Sequence, residues 1–142
     1  MSAKILDGRL VSQSILESVG REVKLLKSKG ILPKLVIILV GENPASLSYI
    51  TQKEKSAVST GILCDLVKLS EKETDTEKLV SLIEKLNEDA TIHGILVQLP
   101  LPTKISSPLV IRAIAPEKDV DGFHAYNIGK MFISSEFERL VP

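Results

Sequence analysis

Two periodicities alternate along the chain. Between residues 8 and 29 apolar side chains recur at Leu10, Val11, Ile15, Leu16, Val19, Val23, Leu25 and Leu26. Spacings of three and four predict an amphipathic helix, stopped by Gly30. Residues 35–40 form a continuous apolar run rich in β-branched side chains, the pattern of a strand buried on both faces; Gly41 ends it. Asn43 suits an N-cap and Pro44 a first helical position. They predict a helix from 44 to about residue 60, closed by Gly61, with Leu47, Ile50, Ala57 and Val58 as its core stripe. A second strand is expected over 62–69. A helix over 74–86 carries apolar Leu79, Val80, Leu82, Ile83 and Leu86, and a third strand covers 94–97. Pro100 and Pro102 force a turn, and a short helix over 108–114 ends at Pro116. The polar loop P-E-K-D-V-D-G (116–122) leads to a last short helix over 124–131.

Helices alternating with buried strands predict an α/β fold: three layers, a mostly parallel sheet with helices on both faces, joined by right-handed crossovers. The 142 residues fit one domain and suffice for a real core. There is no internal repeat, and the mixed charges of S-E-K-E-T-D-T-E-K (70–78) read as a solvated loop and helix start.

Composition then narrows the function classes. Eighteen basic residues balance eighteen acidic ones, so the chain lacks the basic excess that phosphate backbones demand. The five aromatic residues (Tyr49, Phe123, Tyr126, Phe132, Phe137) are too scattered for base stacking. The expectation is no nucleic-acid partner and, with no run of about 18 apolar residues, no membrane span. The N-terminus lacks the apolar core of a signal peptide, which makes the cytoplasm the expected compartment. Cys64 is alone, reads as a small buried apolar residue, and has no metal-ligand spacing with His93 or His124. Neither histidine has a paired partner, and both read as structural or exposed. No G-x-G-x-x-G, G-x-x-x-x-G-K-[ST] or G-x-S-x-G occurs.

Candidate chemistry lies where the strands end, because open parallel sheets bind ligands outside their carboxyl edge. Tyr49 and Lys53 are four residues apart, on one helical face about 40° apart, with Ser46 one turn earlier. Lys53 lies about 60° from Ile50, at the border of the core stripe. A lysine desolvated there becomes a usable proton donor or acceptor; a solvated surface charge is the commoner fate of helix lysines. Gln98 follows G-I-L-V and precedes L-P-L-P, out of pattern for a strand end. Its amide can orient an ammonium or a water, or simply satisfy loop backbone groups. Asp119 and Asp121 flank Val120 before Gly122; a carboxylate there can accept from an amino-pyrimidine-like edge or serve a local Asx turn.

Three stretches carry a resemblance: V-G-E-N-P-A-S-L-S-Y-I-T-Q-K-E-K (40–55), G-I-L-V-Q-L-P-L-P (94–102) and P-E-K-D-V-D-G-F-H-A-Y-N-I-G (116–129). In this order and spacing they closely resemble the bifunctional methylenetetrahydrofolate dehydrogenase/methenyltetrahydrofolate cyclohydrolase family, across nearly the whole chain. The resemblance implies an enzyme that interconverts 5,10-methylene-, 5,10-methenyl- and 10-formyl-tetrahydrofolate with NADP or NAD as hydride acceptor. Its subunits are usually homodimeric, with folate held between two α/β domains. It implies that Lys53 is the catalytic lysine, that Tyr49 packs on the folate rings, that Gln98 works with the lysine, and that Asp121 holds the pterin. Val97, Leu99 and Pro100 are expected to line the pocket. In the family the chain continues past a proline like Pro142 into a Rossmann-type NAD(P) domain, and a terminal helix returns to the first domain. Residues 1–142 are therefore expected to be the N-terminal folate-binding catalytic domain, with the cofactor domain outside them and F-E-R-L-V-P (137–142) reading as a linker. Two other readings stay open: a folate-binding module without turnover, and the substrate domain of a different two-domain dehydrogenase.

Overall fold

The computed structural model describes residues 5–133, so the 137–142 linker lies outside the described residues. The chain runs α1 (Gly8–Ser28), β1 (Lys34–Val40), α2 (Pro44–Thr60), β2 (Leu63–Leu69), α3 (Thr76–Glu88), β3 (Gly94–Val97), α4 (Ser107–Ala113) and α5 (Ala125–Ile133). The sheet is parallel with strand order β2-β1-β3. From β1 the chain steps one way to β2, then crosses back to place β3 on β1's other side. Right-handed crossovers in opposite directions put their helices on opposite faces. Accordingly Ile37, Leu39 and Leu96 pack with Ile50 of α2. Val36, Ile38, Val40, Ile95 and Val97 pack with Leu79 and Ile83 of α3 and Val110 of α4. Alternate residues of one short apolar run thus feed two cores, each buried side chain contributing about 1.5–3 kcal/mol.

The helix limits follow their caps. Asn43 Oδ1 accepts from the Ala45 and Ser46 amides at 2.9 and 3.3 Å, and Gly61 closes α2 in the left-handed region. α3 starts later than its apolar pattern suggests because Asp75 is the cap: its carboxylate accepts from Lys78 N at 2.8 Å. His124 Nδ1 accepts from Tyr126 N at 3.1 Å at the start of α5.

Two expected core stripes are corrected. In α1 only Val23 is buried, with Leu16, Val19 and Leu26 half-buried, while Leu10, Val11, Ile15 and Leu25 are exposed. At about 100° per residue the packed four fall within an arc of roughly 80°, and the rest lie on a flank that α2 does not cover. In α2, Val58 is 76% exposed. The buried positions are Ser46, Ile50, Ala57 and Thr60, so the inward arc is rotated toward small hydroxyl residues, and Lys53 lies within it. Cys64 is half-buried against the α2-side core, and burial, helped by Glu54 and Asp65, pushes its thiol up in pKa.

Candidate active site

β1 and β3 are the neighbours between which the chain reverses direction, and such a switch point opens a crevice at the strand ends. Lys53 comes to it from the helix after β1 and Gln98 from the loop after β3. Gln98 N donates to Ile38 O at 2.9 Å, continuing the ladder one residue past β3 and so fixing where its side chain departs. Half-buried Lys53 donates from Nζ to Gln98 Oε1 at 3.3 Å. Gln98 spends its own amide on Leu99 O at 2.8 Å, which leaves its carbonyl facing the lysine. The Leu99–Pro100 peptide is cis.

Asp119 and Asp121 have separate fates. Asp119 is 2% exposed, and its Oδ2 accepts from His124 N at 2.8 Å and Asn127 Nδ2 at 2.9 Å. Asp121 stands at the rim and makes no hydrogen bond among the described residues. Burial is the largest influence on it and raises its pKa; the Lys53 charge opposes this and the Asp119 charge adds to it. Gly122 turns the chain immediately afterwards at φ 68°, a region that favours glycine.

The loop carrying these carboxylates is fastened on its other side to α3. Lys118 Nζ donates to the carbonyls of Leu86, Asn87 and Asp89 at 3.2, 2.6 and 2.8 Å, a cation on the exposed carbonyls of a helix C-terminus. Asn87 Nδ2 donates to Ala113 O at 2.8 Å, and Asn87 Oδ1 accepts from Ala115 N at 3.0 Å. Ile95 N donates to Lys118 O at 2.7 Å, so the loop lies along the free edge of β3.

An apolar cleft of about 560 Å³ opens beside α2, lined by Tyr49, Lys53, Ala57, Leu96 and Val120, and runs toward the amino ends of the strands at Lys34, Ile62 and Gly94. Tyr49 is 66% exposed, its ring free on that wall. Val97 faces away: its side chain is buried with the α3 and α4 residues. Leu99 is half-buried and Pro100 exposed. Thus Tyr49 and Lys53 line the cleft, Gln98 joins them through its bond to Lys53, Asp121 follows the lining residue Val120 in the chain, and Val97 turns its side chain to the opposite core. A larger groove of about 960 Å³ between α1 and the last turn of α2 holds none of the candidate residues. His93 bonds the Lys34 amide through Nδ1, consistent with a structural role. Among the described residues no three His, Cys, Asp or Glu side chains are grouped to hold a metal, and no helix is long and apolar enough to cross a membrane.

Sequence reasoning missed three contributors. Gly94 leaves room for Val120, Asn127 bonds Asp119, and Asn87 anchors the loop. Only Asn127 had a visible signal, an amide inside the largely apolar A-Y-N-I-G-K-M-F-I.

The same crevice-bearing fold recurs in known proteins. A bifunctional protein FolD of Ligilactobacillus salivarius is 52% identical over 134 residues, covering 94% of this chain and 47% of that protein. The crystal structure of the bifunctional enzyme FolD, a methylenetetrahydrofolate dehydrogenase/cyclohydrolase from Campylobacter jejuni, superposes with a TM-score of 0.92 at 41% identity, covering 99% of this chain and 49% of that one. The Trypanosoma brucei methylenetetrahydrofolate dehydrogenase-cyclohydrolase, solved with NADP cofactor and inhibitor, superposes with a TM-score of 0.86 at 35% identity over 94% of this chain and 46% of that one. The chain spans about half the length of the curated relatives it matches. The family model for the tetrahydrofolate dehydrogenase/cyclohydrolase catalytic domain matches residues 6–121, and the chain belongs to that family.

Proposed function

We propose that residues 1–142 are the folate-binding catalytic domain of an enzyme that interconverts 5,10-methylene-, 5,10-methenyl- and 10-formyl-tetrahydrofolate. In the whole protein NADP accepts the hydride in a separate Rossmann-type domain, and the protein works as a homodimer in the cytoplasm. The observation that carries this reading is the Lys53–Gln98 hydrogen bond at the β1/β3 switch point, facing a cleft walled by Tyr49.

The chemistry within reach of these residues is the hydration of the methenyl bridge. That bridge is an electrophilic amidinium carbon. A water oxygen bonds to it and sheds one proton, leaving a hydroxyl; the bond from carbon to one ring nitrogen then breaks as the hydroxyl gives up its second proton to become the formyl C=O, that nitrogen takes up a proton, and the formyl group remains on the other. One proton is released overall. Lys53 carries protons between the added oxygen and the departing nitrogen, held in place by the Gln98 carbonyl. Tyr49 stacks on the ring system, and Asp121 accepts the pterin's N–H edge through charge-assisted bonds.

The dinucleotide has no comparable place among these residues. The turn after β1 has one glycine rather than a glycine-rich loop, and a side chain added at Gly41 would meet the Glu71 carboxylate at 3.2 Å. A carboxylate at that turn opposes a pyrophosphate. The purified 142-residue chain is therefore expected to show no NADP-dependent oxidation of 5,10-methylenetetrahydrofolate; NADPH formation above the no-enzyme rate would refute this.

A pH dependence follows from Asp121. Its carboxyl is raised, so on acidification it takes a proton before ordinary aspartates do, and its bonds to the pterin lose their charge. Folate affinity is expected to fall across that window, above the usual aspartate range, and the fall should vanish in Asp121→Asn. The effect on folding has the opposite sign. The contribution is fully present below the unfolded aspartate pKa and is lost as pH rises through the raised folded value. Titrating tetrahydrofolate affinity against pH in both proteins checks this.

A further inference from the structure

We propose that Asp119 and Asn127 form a polar pin that positions Asp121; the inference rests on the folate reading for what Asp121 binds, though not for the pin itself. α5 is attached to the domain in an unusual way. Tyr126, Ile128, Met131, Phe132 and Ile133 are all exposed, and Asn127 is its buried residue. The Asn127 amide nitrogen donates twice, to Pro116 O at 2.8 Å and to Asp119 Oδ2 at 2.9 Å. It thus ties the first residue of the 116–122 loop to its middle. Asp119 Oδ2 also accepts from His124 N at 2.8 Å, closing the loop beyond Gly122.

These three bonds bracket Asp121 on both sides. Lys118 and Val120 are already committed, one to the end of α3 and the other to the α2-side core. With both neighbours and the Asp119 carboxylate fixed, the Asp121 backbone has little freedom between Val120 and the left-handed Gly122. A carboxylate that must meet a planar N–H edge gains from being held in place beforehand. A buried carboxylate is costly unless it is hydrogen-bonded. Here that carboxylate forms the bonds on which the rim geometry depends. Asp119 and Asn127 touch no ligand and act only through Asp121.

The test is a double-mutant cycle read by binding, joined to a second measurement that needs no ligand. Tetrahydrofolate, which has no bridge to turn over, is titrated into the chain, Asn127→Leu, Asp121→Asn and the double variant. The expected result is about tenfold weaker binding for Asn127→Leu but less than twofold further loss in the Asp121→Asn background, the non-additivity of residues acting through one group. Equal losses in both backgrounds would overturn the pin and leave a merely structural role. Independently, carbon-detected NMR follows the Asp121 carboxyl in the absence of folate. Its titration should move down toward the ordinary aspartate range in Asn127→Leu, with shifted Asp121, Gly122 and His124 amides. An unchanged titration would overturn the pin. If the parent chain fails to bind tetrahydrofolate, the folate reading falls, while the carboxyl titration still decides the pin. Should Asn127→Leu not fold, Asn127→Ser, too short to bridge Pro116 and Asp119, is measured in the same two ways.

Discussion

Lys53→Met is expected to slow hydrolysis of 5,10-methenyltetrahydrofolate by ~10²–10⁴-fold, the usual range for removing a positioned proton-transfer group. Tetrahydrofolate binding should change only a few-fold. Methionine keeps most of the apolar stem that α2 directs inward at position 53, so packing of the cleft wall is retained. What it removes is the Nζ donor to Gln98. Gln98 would keep its bond to Leu99 O, leaving one unpaired carbonyl at a half-buried site, a modest cost beside the loss of the proposed proton-carrying amine. Loss of near-ultraviolet absorbance above the buffer rate measures the reaction. A variant as active as the parent would remove Lys53 from the mechanism.

The second large effect concerns stability and arises from packing. A Cβ at Gly94 would stand 2.6 Å from Val120 Cγ1 and 3.3 Å from Leu35 Cδ1. The first distance is too short for two carbons, so Gly94→Ala must displace Val120, the residue next to Asp121. Overpacking of this kind costs about 1–3 kcal/mol. The alanine also restricts the unfolded chain, which offsets roughly 0.4–1 kcal/mol. The net expectation is a loss of about 1–2 kcal/mol in urea unfolding, accompanied by weaker folate binding as the Asp121 loop moves outward. Unchanged stability and unchanged affinity together would contradict the close packing of β3 against this loop.

Much of this was legible before the fold was seen, for identifiable reasons. The strands were plain because 35–40 and 94–97 are unbroken apolar runs, and α2 because Asn43, Pro44 and Gly61 mark both of its ends. Gln98 stood out as an amide out of pattern at a strand end and Lys53 as a lysine at the border of the α2 core stripe, and they are the two that meet. What stayed hidden depends on neighbours that periodicity does not contain. The apolar residues of α1 span more of the helix than α2 covers, so Leu10 and Ile15 read as core yet are exposed. Val58 read as core because the inward arc of α2 is built partly from Ser46 and Thr60, which no hydrophobic pattern reveals. Val97 shares a strand with Leu96 but faces the opposite core, a consequence of the two-residue strand repeat. The separate surroundings of Asp119 and Asp121 depend on Asn127, an amide visible inside an apolar helix whose partner across eight residues no periodicity names.

The function proposed for this chain depends on a folate held in the crevice between α2 and the end of β3. It is tested most directly by titrating tetrahydrofolate into the isotopically labelled chain and following every backbone amide. Saturable binding is expected, with the largest shifts at Tyr49, Lys53, Gln98, Asp121 and Gly122, weakened in Asp121→Asn. Absence of saturable binding, or shifts confined to the groove between α1 and the last turn of α2, would contradict it.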